Sequence, residues 1–211
     1  MIKGLFDKQL VELEQSVGRM LSIVPLSPNQ WTLLAVVLGF SGFLSLVEKQ
    51  ILLGGILFSL SFLFDIFDGS IAKYLKKQTP FGDYFDGLSD ILVDFLLLVG
   101  LWSLNLNSVN LFGFFISWNY IIFTCILGVF LTSFAKSHAS YSNPNWRKQL
   151  DNMHGLIQRG ERCMLFVLIF ILLLFDSQMA GVVLLLLAIA ALFTVLQRFV
   201  FVFFLGLQKS R

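Results

Sequence analysis

Charge is scarce in this chain. Only 13% of its 211 residues are Asp, Glu, Lys or Arg, while 57% are hydrophobic. Soluble domains average about 25% charged residues, so the deficit excludes an ordinary water-facing surface. Mean hydropathy of +0.82 points instead to a bilayer. Cysteine is scarce too. Cys125 and Cys163 both lie in apolar segments, with neither disulfide-framework nor zinc-ligand spacing, and read as buried inert thiols. His138 and His154 flank a polar loop and read as solvated. The chain has no obvious repeat and no linker that would split it, so one domain, 1–211, is expected. Met1 to Val24 lacks the apolar core run of a secretory signal. No nucleic-acid partner is expected.

What is present is a series of apolar stretches. A helix needs about 20 mostly apolar residues to cross the hydrocarbon core. Six stretches come close: Trp31–Val47, Ile51–Ile71, Phe85–Leu104, Leu111–Phe134, Met164–Phe175 and Ala180–Leu205. Backbone groups in lipid must be satisfied within the chain, so all six are expected to be helical. Before them, Ile2, Leu5, Phe6, Leu10, Leu13, Val17, Met20, Leu21 and Val24 form one stripe at helical spacing. That pattern predicts a helix over 1–24, lying in the membrane interface or packed on the body. The fold class is therefore all-α and integral to the membrane: an interfacial helix, then a six-helix body over 31–205. Trp31, Trp102 and Trp118 fall near span ends, where interface anchors belong.

Six spans put both termini on one side. Lys3, Lys8, Arg19, Lys73, Lys76, Lys77, Lys136, Arg147, Lys148, Arg159, Arg162, Lys209 and Arg211 fall on that side, Lys49 on the other. By the bias of basic residues, the termini and the loops after the second and fourth spans are expected to be cytoplasmic. Arg198 lies inside the last span.

The carboxylates gather at the mouth of two spans. Asp65 and Asp68 are three apart on one helix, Asp86 and Asp90 four apart on the next, with Asp83 one turn earlier. Each set shares a helix face, and the connecting loop is short. Carboxylates converging near the membrane surface repel, so they take up protons or bind cations. Such a density of oxygen ligands suits Mg²⁺, Mn²⁺ or Ca²⁺. Gly69 and Ala72 leave backbone open for a ligand to approach, and Lys73, Lys76 and Lys77 offer charge to an anion. Residue chemistry alone thus gives a metal-dependent, phosphate-handling site. A divalent-cation carrier is a distant alternative, since carriers usually place such acids at mid-membrane in repeated halves.

The order Asp65-x2-Asp68-Gly69-x2-Ala72-Lys73-x8-Gly82-x3-Asp86-x3-Asp90 resembles the signature of the CDP-alcohol phosphatidyltransferase family, with every spacing matched. Lys73 stands where the family usually has arginine; it keeps the charge but loses the planar two-pronged donor. Asn29 and Thr32, in Pro28-Asn29-Gln30-Trp31-Thr32, look like the family's segment at the first span. The resemblance implies transfer of a phosphatidyl-type group from a CDP-linked lipid to a hydroxyl, with release of CMP. It implies two Mg²⁺ or Mn²⁺ ions on Asp65, Asp68, Asp86 and Asp90, with Asp90 also the general base. It places Asn29, Thr32, Asp65, Asp68, Gly69, Ala72, Lys73 and Thr79 on the CDP-lipid, and it implies a homodimer in the cell membrane with its active site facing the cytoplasm.

Lys136 closes the fourth span, and Arg159 and Arg162 open the fifth, three apart on one face. These cations suit a second phosphate, carried by the acceptor. They resemble the subgroup that makes phosphatidylinositol phosphate or archaetidylinositol phosphate, so inositol 1-phosphate is the expected acceptor. Glycerol 3-phosphate or another alcohol is the alternative. Asp94, one turn beyond Asp90, has no assigned role.

Overall fold

The structure is a computed structural model and describes residues 16–146, 149–150, 153 and 155–208. The apolar stretches become six long helices: α1 (Pro28–Val47), α2 (Ile51–Tyr74), α3 (Pro80–Ser103), α4 (Trp118–Ser142), α5 (Arg159–Leu173) and α6 (Ser177–Gln208). Their starts follow local side-chain chemistry. Gln30 Oε1 accepts from Ser27 N at 2.7 Å, and Glu161 Oε2 accepts from Gln158 N at 2.9 Å, each closing a capping box. Thr79 Oγ1 accepts from Gly82 N at 3.0 Å, ahead of Pro80 in the first turn of α3.

By length and composition, α1, α2, α4 and α6 can each cross a membrane. The other two expected spans are helices that fall short of this standard. The apolar part of α3 carries Asp86, Asp90 and Asp94. With 15 residues, α5 is about 22 Å long, against a hydrocarbon core of about 30 Å.

The fourth span begins later than hydropathy alone implies. Part of its expected start at Leu111 belongs to an antiparallel hairpin, β1 (Val109–Leu111) and β2 (Phe114–Ile116), with Val109 opposite Ile116. Phe112 (φ 50°) and Gly113 (φ 89°) both take positive φ, as a two-residue hairpin turn requires. Asn110 Oδ1 accepts from Gly113 N at 3.0 Å. The first turn of α6 holds the hairpin down: Gln178 Oε1 accepts from Asn110 N at 2.9 Å, and Gln178 Nε2 donates to Ser108 O at 3.0 Å.

Packing makes two groups of helices. One is α1 against α2 and α3; the other is α4 and α5 against α6. Contacts of α3 with α4 and of α2 with α5 join them, the latter with Phe58 stacked on Phe170 and Phe62 on Phe166. Close approach depends on small residues. Leu46 is fully buried between Gly54 and Gly100; a Cβ on Gly100 would lie 2.7 Å from Leu46 Cδ1. Gly100→Val should destabilise the fold by about 1–3 kcal/mol; a lowered thermal midpoint in detergent would show it, and an unchanged midpoint would refute this packing account.

Two tryptophans do not serve as interface anchors. Trp31 and Trp118 are buried, Trp31 against Phe64 and Phe67, while Trp102 is exposed. Near the N-terminus, residues 16–21 are helical, and Gly18 lies close against Ser70 and Tyr74 of α2. The rest of the expected interfacial helix, residues 1–15, lies outside the described residues, as does His154.

Candidate active site

The end of the bundle opposite the hairpin collects nearly all the chemistry. The last turns of α2 carry Asp65 and Asp68, and the first turns of α3 carry Asp83, Asp86 and Asp90. Between these helices the chain reverses within a few residues, with Lys76 in a positive-φ conformation (52°). One carboxylate oxygen from each of Asp65, Asp68 and Asp86 lies within 4.8 Å of the others.

Asp68 is buried, and its Oδ2 accepts from Thr32 Oγ1 at 2.5 Å. That bond, from α1 to α2, fixes the carboxylate's orientation. Thr32, expected on the nucleotide, therefore also positions an acid. Beside this trio, a Cβ on Gly69 would meet nothing within 4 Å, so the backbone there is open. Oxygen-only donors around an open backbone fit a hard divalent cation.

Asp90 stands outside the close trio. Arg159 Nη2 reaches its Oδ1 at 2.6 Å, and Arg159 Nη1 pairs with Asp65 Oδ2. Arg159, expected on the acceptor phosphate, is thus paired with two of the aspartates. One turn deeper, Arg162 Nη2 pairs with Asp94 Oδ2 at 2.5 Å.

Two cavities flank the first turns of α3. The first, of about 210 Å³, is lined by Asn29, Thr32, Asp68, Gly69, Ala72, Lys73 and Thr79, with Lys77, Gly82, Asp83 and Asp86. Every residue expected on the CDP-lipid except Asp65 is there. The second, of about 540 Å³, is lined by Asp90, Thr132, Ser133, Lys136, Arg159, Arg162 and Arg198, with Asp83, Tyr84 and Gln158 among the rest. It brings together the three cations expected on the acceptor phosphate and adds a fourth. Arg198, from α6, donates to Thr132 O. The signal for it in the sequence was a lone charge inside a long apolar run, a costly arrangement that marks function. His138 is exposed and stacks on Phe134, outside both cavities.

A trio of acids thus lies beside a lysine-edged cavity, with a second, cationic cavity on the other side of the first turns of α3. A model of the CDP-alcohol phosphatidyltransferase family matches residues 25–196, and the chain belongs to that family. It is thus a membrane-associated transferase of phospholipid synthesis.

Among its relatives, the archaetidylinositol phosphate synthase of Pyrococcus horikoshii is 25% identical over 184 residues, which cover 87% of each chain. The bifunctional IPC transferase and DIPP synthase of Aquifex aeolicus is 30% identical over 112 residues, 52% of this chain and 24% of that one. The crystal structure of Mycobacterium tuberculosis phosphatidylinositol phosphate synthase with CDP-DAG bound shares the fold. Its TM-score is 0.70 at 22% identity, over 90% of this chain and 94% of that one. The complex of that synthase with manganese and citrate also scores 0.70, at 23% identity, over 90% and 88%.

Proposed function

We infer that this protein transfers a phosphatidyl-type group, diacylglycerol- or archaeol-phosphate, from a CDP-lipid to a hydroxyl of inositol 1-phosphate and releases CMP. The observation that carries the acceptor assignment is the second cavity. Lys136, Arg162 and Arg198 line it, and Asp90 lies on its wall. Cations there suit the acceptor's phosphate, and Asp90 is placed to meet its hydroxyl.

The chemistry divides among the chain's own residues. Asn29, Gly69, Ala72, Lys73 and Thr79 bind the cytidine diphosphate in the first cavity, while the lipid tails stay in the bilayer. Asp65, Asp68 and Asp86 would hold Mg²⁺ or Mn²⁺, and Asp90 would supply a further ligand for a second ion. A divalent cation bound there supplies positive charge to the diphosphate and the departing CMP. Thr32 keeps Asp68 in its orientation. Asp90 takes the proton from the acceptor hydroxyl. The hydroxyl oxygen then bonds to the lipid-bearing phosphorus as that phosphorus releases its bond to CMP. A carboxylate is a weak base for an alcohol, so alignment of the two substrates carries much of the barrier reduction.

The protein works as a homodimer in the cell membrane. Six spans and an interfacial N-terminal helix set the site and both termini on the cytoplasmic side, which the basic residues around the two cavities support.

The decisive assay is CMP release by purified protein with Mg²⁺ or Mn²⁺. CDP-diacylglycerol and CDP-archaeol are offered in turn, each against inositol 1-phosphate, glycerol 3-phosphate, serine and free inositol. Release with inositol 1-phosphate alone is expected. Release with glycerol 3-phosphate instead would keep the chemistry and replace the acceptor. Release with free inositol or serine, with no gain from a phosphate, would overturn the assignment of the second cavity.

A further inference from the structure

Two ion pairs tie α5 to α3. Arg159 pairs with Asp90, and Arg162 pairs with Asp94. The acids are four apart on α3 and the arginines three apart on α5, so the second pair lies one turn deeper than the first. The upper pair belongs to the carboxylate site. The lower pair takes no part in holding the CDP-lipid or in the proton transfer.

Its burial is nearly complete. Asp94 is 0% exposed and Arg162 is 8% exposed. Their contact is single rather than forked, Arg162 Nη2 to Asp94 Oδ2, and among the described residues neither Asp94 Oδ1 nor Arg162 Nε has a hydrogen-bond partner. A buried ion pair is a poor means of stabilising a helix contact, because apolar residues of similar volume serve as well or better. One held in a single contact is poorer still, since it leaves polar atoms unsatisfied. What this pair does achieve is to hold one end of a guanidinium that also lines the second cavity with Lys136 and Arg198. A long arginine without an anchor swings toward water or toward other acids.

We propose that Asp94 is a positioning residue that holds Arg162 in the second cavity, where Arg162 binds the phosphate of the acceptor. This rests on the reading of the second cavity as the site of a phosphorylated acceptor. Asp94 touches neither substrate and acts only through Arg162.

The test is a set of steady-state measurements with CDP-diacylglycerol or CDP-archaeol, whichever the wild-type protein uses, against inositol 1-phosphate, glycerol 3-phosphate and, for the wild-type protein, free inositol. Asp94→Asn should raise KM for the phosphorylated acceptor about tenfold or more, with KM for the CDP-lipid held within about twofold. Asp94→Glu should recover part of the loss. Arg162→Ala should raise acceptor KM as Asp94→Asn does, and adding Asp94→Asn to Arg162→Ala should change it no further, because the two residues act as one unit.

A lone buried arginine could unfold the single variant, so the pair Asp94→Leu with Arg162→Met is the companion. It should fold, as judged by its thermal midpoint, and keep the raised acceptor KM. Equal rises in both KM values, additive effects of the two substitutions, or a wild-type acceptor KM in the apolar pair would each overturn the proposal. A wild-type protein indifferent to phosphate on its acceptor would overturn the cavity assignment and this proposal together. That result would come from the wild-type arm alone, so the two failures are distinguishable.

Discussion

Asp90→Asn is expected to lower the rate of CMP release by about 10²–10⁴-fold, the usual worth of a positioned proton acceptor. Asparagine keeps the size and a carbonyl oxygen but cannot take the proton of the attacking hydroxyl. The first cavity is lined by Asp68, Asp86, Lys73 and their neighbours without Asp90, so affinity for the CDP-lipid should stay within about threefold of wild type. Arg159 would still have Asp65 as a partner, so the change leaves no orphaned guanidinium. Single-turnover CMP release, with CDP-lipid binding measured in parallel, separates the two effects. Full activity would remove Asp90 from the proton-accepting role, while a matching loss of CDP-lipid binding would show that its role is structural.

The second large effect is expected at Asp68. Asp68→Ala removes a central carboxylate of the close trio, and a hard cation held by a few oxygens cannot spare one. Mn²⁺ affinity, read by electron paramagnetic resonance without substrates, should fall by more than about 100-fold, and activity should fall with it at any practical metal concentration. Thr32→Val is the graded counterpart. It removes the 2.5 Å hydrogen bond to Asp68 Oδ2 but leaves the ligand in place. Loss of an orienting partner costs about 10–100-fold in metal affinity or activity, so Thr32→Val should fall between wild type and Asp68→Ala. Unchanged Mn²⁺ binding in Asp68→Ala would show that the carboxylate trio is not the metal site.

The acidic site was legible in the sequence because its rules are local. Spacings of three and four on two successive helices fix a face on each, and a short loop brings the faces together, which is enough to predict Asp65, Asp68 and Asp86 as neighbours. Asn29 and Thr32 were singled out for another reason, the resemblance to the family's segment at the first span, and both line the first cavity. The cationic side depended on helices distant in the sequence. Nothing local shows that Arg198 of α6 meets Thr132 of α4, or that Arg159 turns its guanidinium onto Asp65 and Asp90. The hairpin was hidden differently. Val109 to Ile116 is mostly apolar and merges with the helix that follows, and only Asn110 and Gly113 mark the turn. Trp31 and Trp118 lie at helix ends as membrane anchors do, yet both are enclosed by protein, a distinction hydropathy does not make.

The two cavities lie on either side of the first turns of α3, and Asp83 lines both. With the CDP-lipid in the first and the acceptor in the second, as proposed above, the two substrates would occupy different cavities. On that assignment neither would have to depart before the other arrives, and the enzyme would have no need to store the lipid phosphate on a side chain of its own. On the substrate assignment proposed above, this arrangement implies a ternary complex and a single displacement, with the acceptor held in place while its lipid partner diffuses in within the plane of the membrane.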